Sequence, residues 1–184
     1  VTADANDGTI STANGWTVAS DGKTATKQVA YGSTYGNLPT PERTGYTFNG
    51  WFTAQNGGSE VESSTPFTTA SKHEIYARWT ANKYTVTADA NGGTISTANG
   101  WTVASGGATA TKQVTYDLTY ETLPTPTREN YHFIGWATAQ TGGTPIKADT
   151  QVTTAGDQTI YAQWEPNDSY LRKDWQTALI NNNA

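Results

Sequence analysis

Neither cysteine nor methionine occurs in this chain of 184 residues. Without a thiol it can be no disulfide scaffold, thiolate zinc site or thiol enzyme, although a Cys-free chain fits any compartment. Charge is also scarce, at 15% of residues, too little for a disordered polyelectrolyte. The 11 Lys and Arg are scattered among 16 Asp and Glu, for a net charge of −5. A phosphate-binding surface needs such cations clustered, so no nucleic-acid partner is expected. No apolar run approaches the roughly 20 residues that span a bilayer as a helix, so no membrane insertion is expected. What the chain does have is rings: seven Trp, ten Tyr and four Phe. Large rings bury the most area per residue, so a small module can build a core from few of them.

The chain is a repeat, and the repeat decides its organisation. Val1-Thr-Ala-Asp-Ala-Asn-Asp-Gly-Thr-Ile10 returns as Val86-Thr-Ala-Asp-Ala-Asn-Gly-Gly-Thr-Ile95. The offset of 85 holds without a gap from Val1–Trp79 to Val86–Trp164, with 28 of 79 positions differing. Equal loop lengths imply one fold used twice. Trp16/Trp101, Trp51/Trp136, Trp79/Trp164, Phe48/Phe133 and Tyr76/Tyr161 recur, whereas the changed positions are mostly polar or small. That is a packed core beneath a tolerant surface.

Residues Tyr84–Ala90 alternate apolar and polar, as a half-buried strand does. Further strands are expected at Trp101–Ser105, Thr109–Tyr116, Tyr131–Trp136 and Ile160–Trp164, with a hairpin turn at Asp21-Gly22. Leu123-Pro-Thr-Pro126 reads as an extended connection, because Pro has no amide to give a central strand. The predicted organisation is a first module at 1–79, its opening strand cut short, a linker at 80–83 and a second module at 84–164. The tail at 165–184 is expected to hold a short helix over 169–180, capped near Asn167–Ser169, with Leu171, Trp175, Ala178 and Leu179 on one face. Within a module, at most one helical turn is expected, near Gly32–Asn37. The fold class is mainly β, with a small α+β variant open.

Three motifs occur in fixed order, twice. They are Tyr84-Thr-Val-Thr-Ala-Asp-Ala-Asn-Gly-Gly-Thr, Leu38-Pro-Thr-Pro-x-Arg43-x-Gly-Tyr-x-Phe-x-Gly-Trp51 and Ile75-Tyr-Ala-x-Trp79. On these, residues 1–164 resemble the Listeria–Bacteroides repeat, the B-repeat of internalin-type surface proteins. The second copy departs mildly, with Asn130 where the first has Gly45. The resemblance implies tandem β-grasp-like (ubiquitin-like) domains in an elongated arrangement, in a secreted or wall-attached bacterial protein. It implies no catalytic residue and no cofactor, and roles in spacing and adhesion. Both copies look longer than the usual repeat between Ile10 and Thr26, which would add a hairpin.

The chemistry-bearing residues are few. His73 aligns with Gln158 and His132 with Thr47, so neither His is shared between copies; both read as incidental, not as a base or metal ligand. Asp4-x-Asn6-x-Gly8 fails the calcium-loop spacing at its fifth position and reads as a turn. Arg43 and Arg128 precede the Tyr-x-Phe-x-Gly-Trp motif; they read as stacking on a ring or bonding a loop carbonyl, with ligand contact as the alternative. Lys27 and Lys112 recur and would suit an isopeptide bond only beside a buried Asp or Asn. Trp16 and Trp101 are expected to pack on their own hairpins and sheets; they are also the best candidates for the alternative, a sugar-stacking platform, because they recur, follow an Asn-Gly turn and sit in the lengthened segment. Expected is therefore a non-catalytic, monomeric stalk or spacer at the cell surface, with host or matrix components or glycans as partners. A carbohydrate-binding accessory module using Trp16 and Trp101 is the alternative.

Overall fold

A computed structural model describes residues 1–167, which divide after Asn82 into two compact units. Unit 1 contains β1 (Thr2–Asp4), β2 (Thr9–Thr12), β3 (Thr17–Val18), β4 (Thr24–Thr26), β5 (Thr40–Glu42), β6 (Tyr46–Phe52), β7 (Glu60–Val61) and β8 (Glu74–Ala81). Unit 2 contains β9 (Lys83–Asp89), β10 (Thr94–Thr97), β11 (Thr102–Val103), β12 (Thr109–Thr115), β13 (Thr125–Thr127), β14 (Tyr131–Ala137), β15 (Pro145–Ile146) and β16 (Gln158–Pro166). Each unit has a six-stranded sheet, ordered β3-β4-β1-β8-β6-β7 and β11-β12-β9-β16-β14-β15, plus a two-stranded sheet, β2–β5 and β10–β13. The central pairs β1–β8 and β9–β16 are parallel and all others antiparallel. The two units therefore share one topology.

Alternation builds the sheet face. Val86, Ala88 and Ala90 are wholly buried, and so are Ile160 and Ala162 on the strand beside them. Trp16 and Trp51 anchor one core and Trp101 and Trp136 the other. A buried Trp removes 150–250 Å² from water, an upper bound of about 4–6 kcal/mol of transfer free energy.

The motif Tyr-x-Phe-x-Gly-Trp is explained by a β-bulge. Phe48 pairs with Trp79 but Gly50 pairs with Arg78, which leaves Asn49 as an extra residue. In a regular strand Phe48 and Trp51, three apart, would face opposite ways. The bulge resets the alternation, so their rings meet at 5.7 Å between centroids, and Phe48 also meets Trp79 at 5.4 Å. Gly50 carries a φ of 125°, open only to glycine, and Gly135 repeats it at 143°.

The mainly β fold is borne out: no helix occurs among the described residues. Other expectations are corrected. Near Gly32–Asn37, where at most one helical turn is expected, the chain makes a single turn closed by the Ser33 amide donating to the Ala30 carbonyl at 3.1 Å, then a bridge from Thr34 to Pro66, and no helix. Gly32 and Gly36, at φ 83° and 65°, interrupt any helical run. The proline segment is not wholly a connection: Thr125–Thr127 forms β13, with Pro126 opposite Ile95. Pro is tolerated there because a two-stranded pair leaves its amide side free. Of residues 80–83, Thr80 and Ala81 end β8 against Thr47 and Tyr46, and Lys83 begins β9. Only Asn82 lies between the strands. Glu165 and Pro166 complete β16 against His132 and Tyr131; the helix expected over 169–180 lies outside the described residues.

Candidate functional site

Trp16 and Trp101 each follow a left-handed Asn-Gly pair, Asn14-Gly15 and Asn99-Gly100. That turn drives the indole inward rather than outward. Trp16 is 5% exposed and Trp101 4%. Their Nε1 atoms donate to the carbonyls of Asn37 at 2.7 Å and Thr122 at 2.8 Å. A sugar-stacking platform needs an open ring face, and neither indole has one. Both indoles pack within their own units, as expected, and only the alternative of an exposed sugar-stacking pair is corrected.

Their partners reveal the most ordered polar constellation in each unit. In unit 1 four successive carbonyls of the proline segment each accept a side-chain bond. Asn37 accepts from Trp16, Leu38 from the Asn14 amide at 2.8 Å, Pro39 from Trp51 Nε1 at 3.0 Å, and Thr40 from Ser11 Oγ at 3.0 Å. Unit 2 repeats all four, with Thr122, Leu123, Pro124 and Thr125 accepting from Trp101, Asn99, Trp136 and Ser96. A segment rich in Pro cannot supply a full ladder of amides, and its carbonyls would be costly to bury unpaired. Side chains answer them instead. Sequence reasoning missed this strap, although its donors and acceptors are nearly all identical between copies.

Arg43 and Arg128 are likewise engaged internally. Each guanidinium lies 3.9 Å from the centre of a ring, Tyr46 or Tyr131. Arg43 also stands 3.7 Å from Asp7, whose side chain is largely exposed, so that ion pair adds little. Arg128 Nη1 donates to the Asn91 carbonyl at 3.4 Å. Lys27 and Lys112 direct their ammonium groups at the carbonyls of Tyr35 and Tyr120, and Lys112 also at Glu121; an Asp or Asn suited to an isopeptide bond is not among these contacts.

His73 is more than incidental to its unit. Its ring stacks on Phe67 at 5.2 Å, and its Nε2 lies 2.7 Å from the Tyr35 hydroxyl. Burial raises the Tyr35 hydroxyl above its usual pKa. His132 stands on the exposed side of β14 opposite Glu165. Asp4 and Asp89 accept the amides of Asn6 and Asn91, both at 2.8 Å, as Asx turns. Among the described residues no three His, Asp or Glu gather as a metal site. A groove in unit 1, lined in part by Val1, Lys27, Tyr31, Phe67, Lys72 and His73, contains cations and rings but no carboxylate side chain.

Fold and site together define a tandem all-β module in which the recurring Trp, Asn and Arg side chains are turned upon their own backbone. The chain belongs to the Listeria-Bacteroides repeat domain family, whose pattern matches residues 1–78 and 84–163. It is similar to Internalin H of Listeria monocytogenes, with 34% identity over 149 residues, 81% of this chain and 24% of that protein. A protein of Evansella cellulosilytica named a Gly-rich membrane protein is 32% identical over 135 residues, 68% of this chain and 14% of that protein. Another membrane protein of the same organism is 30% identical over 148 residues, 78% of this chain and 21% of its own length. This chain thus spans a quarter or less of these relatives.

Proposed function

We propose that the two units are a non-catalytic repeat segment of a bacterial surface protein, acting as a stalk that spaces other domains from the cell and contributing to adhesion. The carrying observation is which residues the copies share. The strap donors, the bulge glycines and the core indoles are identical, and every one of them serves the fold. A selected ligand site would instead repeat outward-facing groups in a common patch. A stalk needs only stable units on a short join. Asn82 alone separates β8 from β9, and its amide donates to the Gly45 carbonyl at 2.9 Å while its side chain bonds Thr47. Membership of the family and likeness to Internalin H support an extracellular, cell-surface setting. Low positive charge and the burial of the indoles favour spacing over nucleic-acid or glycan binding.

The test is replacement on a cell surface. A wall-anchored reporter is displayed above this chain, above an unrelated pair of small domains of equal length, or directly on the anchor. Access of a large antibody to the reporter should be equal for the first two and reduced for the third. Access unchanged without any spacer would refute the stalk. Attachment of cells to matrix proteins or glycans by this chain, and not by the unrelated pair, would assign adhesion to its own surface. Trp16→Ala is a poor control for sugar binding, because it opens the core; a glycan array with the unaltered chain is the cleaner measurement, and no binding is expected.

A further inference from the structure

We propose that each unit is built to resist force applied along its chain, with the parallel pair of terminal strands as a clamp and two side chains as its lock. This rests on the stalk reading for its use, but its mechanics stand on geometry alone. In unit 2, β9 is the first strand and β16 the last, and they lie side by side in parallel, Val86 opposite Gln158 through Asp89 opposite Tyr161. Tension on the start of β9 and the end of β16 therefore slides one strand past the other. All the evenly spaced bonds of a parallel ladder must then yield together, whereas peeling would break them one at a time. Both strands are also held from outside, β9 by β12 through Asp89–Lys83 and β16 by β14 through Tyr161–Pro166. Val86, Ala88, Ile160 and Ala162 are wholly buried, so water has poor access to compete for these bonds.

The lock lies just past the ladder. Asn91 Nδ2 donates to the Ala162 carbonyl at 2.9 Å, and Trp164 Nε1 donates to the Ala90 carbonyl at 3.0 Å. These side chains continue the bonding between the terminal segments after the backbone ladder ends. At the other end the Thr85 amide donates to Asp157 Oδ1 at 2.7 Å. Unit 1 repeats the device: Asn6 Nδ2 meets the Ala77 carbonyl and Trp79 Nε1 the Ala5 carbonyl, both at 3.0 Å, beyond the ladder Thr2–Asp4 with Glu74–Tyr76. No catalytic or ligand role explains why the same two side chains bridge the same two segments twice.

The experiment is single-molecule pulling on the whole chain, where the absence of native cysteine makes introduced cysteines the sole handles. Lys83→Cys with Glu165→Cys loads unit 2 along its terminal strands. Lys83→Cys with Thr115→Cys loads a residue pair directly opposite in an antiparallel ladder, so the force peels from one end. Forced rupture reads the unfolding rate under load. The first geometry should rupture at more than twice the force of the second at equal pulling speed. Equal forces would overturn the clamp while leaving the surface-display test of the stalk untouched. Asn91→Gly removes the amide and keeps its φ of 49° accessible; Trp164→Phe keeps a ring and removes the N–H. Each should lower the force in the first geometry and leave the second unchanged. A fall in both alike would assign these residues to general stability, and no fall in the first would overturn the lock.

Discussion

The two units answer the same structural demands with different residues. In unit 1 Arg78 Nη2 donates to the Ala54 carbonyl at 3.2 Å, and its guanidinium lies 3.9 Å from the centre of the Phe52 ring. In unit 2 Gln163 takes that place, donating to the Ala139 carbonyl at 2.8 Å, and Ala137 replaces the ring. His73 meets the Tyr35 hydroxyl and stacks on Phe67; in unit 2 Gln158 lies against the Tyr120 hydroxyl and Val152 fills the ring's position. Arg43 faces Asp7, whereas Arg128 lies over Gly92, where even an added methyl would stand 3.3 Å from its Cζ. Substitutions therefore move in sets. At Ala54 and Ala139 what stays constant is the carbonyl to be satisfied, and the side chain that satisfies it drifts with its neighbours. The strap is different: its donors Trp, Asn, Trp and Ser do not drift, because the spacing of four consecutive carbonyls leaves few alternatives.

The largest effect should come from breaking the strap and core of one unit and reading the other. Trp136→Ala removes a ring that is 3% exposed and the donor to Pro124. Truncations of this kind cost about 3–5 kcal/mol, much of the stability of a domain this small. Calorimetry should show the unit 2 transition lost and one transition retained. Trp51→Ala should do the converse. Loss of both transitions from either variant would show that the units do not fold independently.

A smaller effect is expected at Gly8 and Gly93, where the two units crowd an added side chain against the corresponding indole and a backbone carbonyl. A Cβ on Gly8 would stand 2.6 Å from Trp79 Cζ2 and 2.8 Å from the Glu42 carbonyl oxygen; on Gly93 it would stand 2.6 Å from both Trp164 Cζ2 and the Thr127 carbonyl oxygen. Gly8→Ala and Gly93→Ala should each cost about 1–3 kcal/mol in urea unfolding, with similar values in the two units. A clear inequality would mean that one loop yields and the shared geometry is less rigid than it looks.

Much of this was legible beforehand because repetition filtered the sequence. Residues 1–164 as two copies of a mainly β module, the longer strands and the buried rings follow from alternation and the gapless offset. The family was legible from three short motifs. The two-stranded sheets were not, because β2 and β10 are mostly Thr and Ser and β5 and β13 contain Pro, so neither alternation nor propensity marks them. The bulge was hidden because Phe48 and Trp51 violate period two until one extra residue is allowed. That Trp16 packs inward was legible from its recurrence, but its partner, a carbonyl 21 residues away, lies at a distance over which local reasoning has no purchase.

A subtler test probes the coupled replacements. Phe52→Ala, Arg78→Gln and the double variant carry unit 1 toward unit 2. Removing the ring alone strands the guanidinium, and removing Arg alone uncovers the ring. The pair should therefore show a coupling of about 0.5–1 kcal/mol in a double-mutant cycle. Additivity would mean that the two changes drifted separately.

The smallest effect concerns pH, and the two units should agree in sign. Burial raises the hydroxyls of Tyr35 and Tyr120 above their usual value of 10.0, although in unit 2 the Gln158 side chain opposes the shift. A tyrosine with a raised folded pKa keeps its proton in the native state after the unfolded chain has lost its own. Above that usual value the native state binds more protons than the unfolded one, so stability falls as pH rises. The contribution is complete below pH 10 and is lost as pH climbs through the raised native value. Urea midpoints at about pH 8 and about pH 11 should therefore decline in the unaltered chain. The decline alone decides nothing. Tyr35→Phe and Tyr120→Phe isolate the two groups: each should flatten the decline in its own unit only. Both variants should be more stable than the unaltered chain at high pH relative to pH 8. A steeper decline in either variant would contradict the sign.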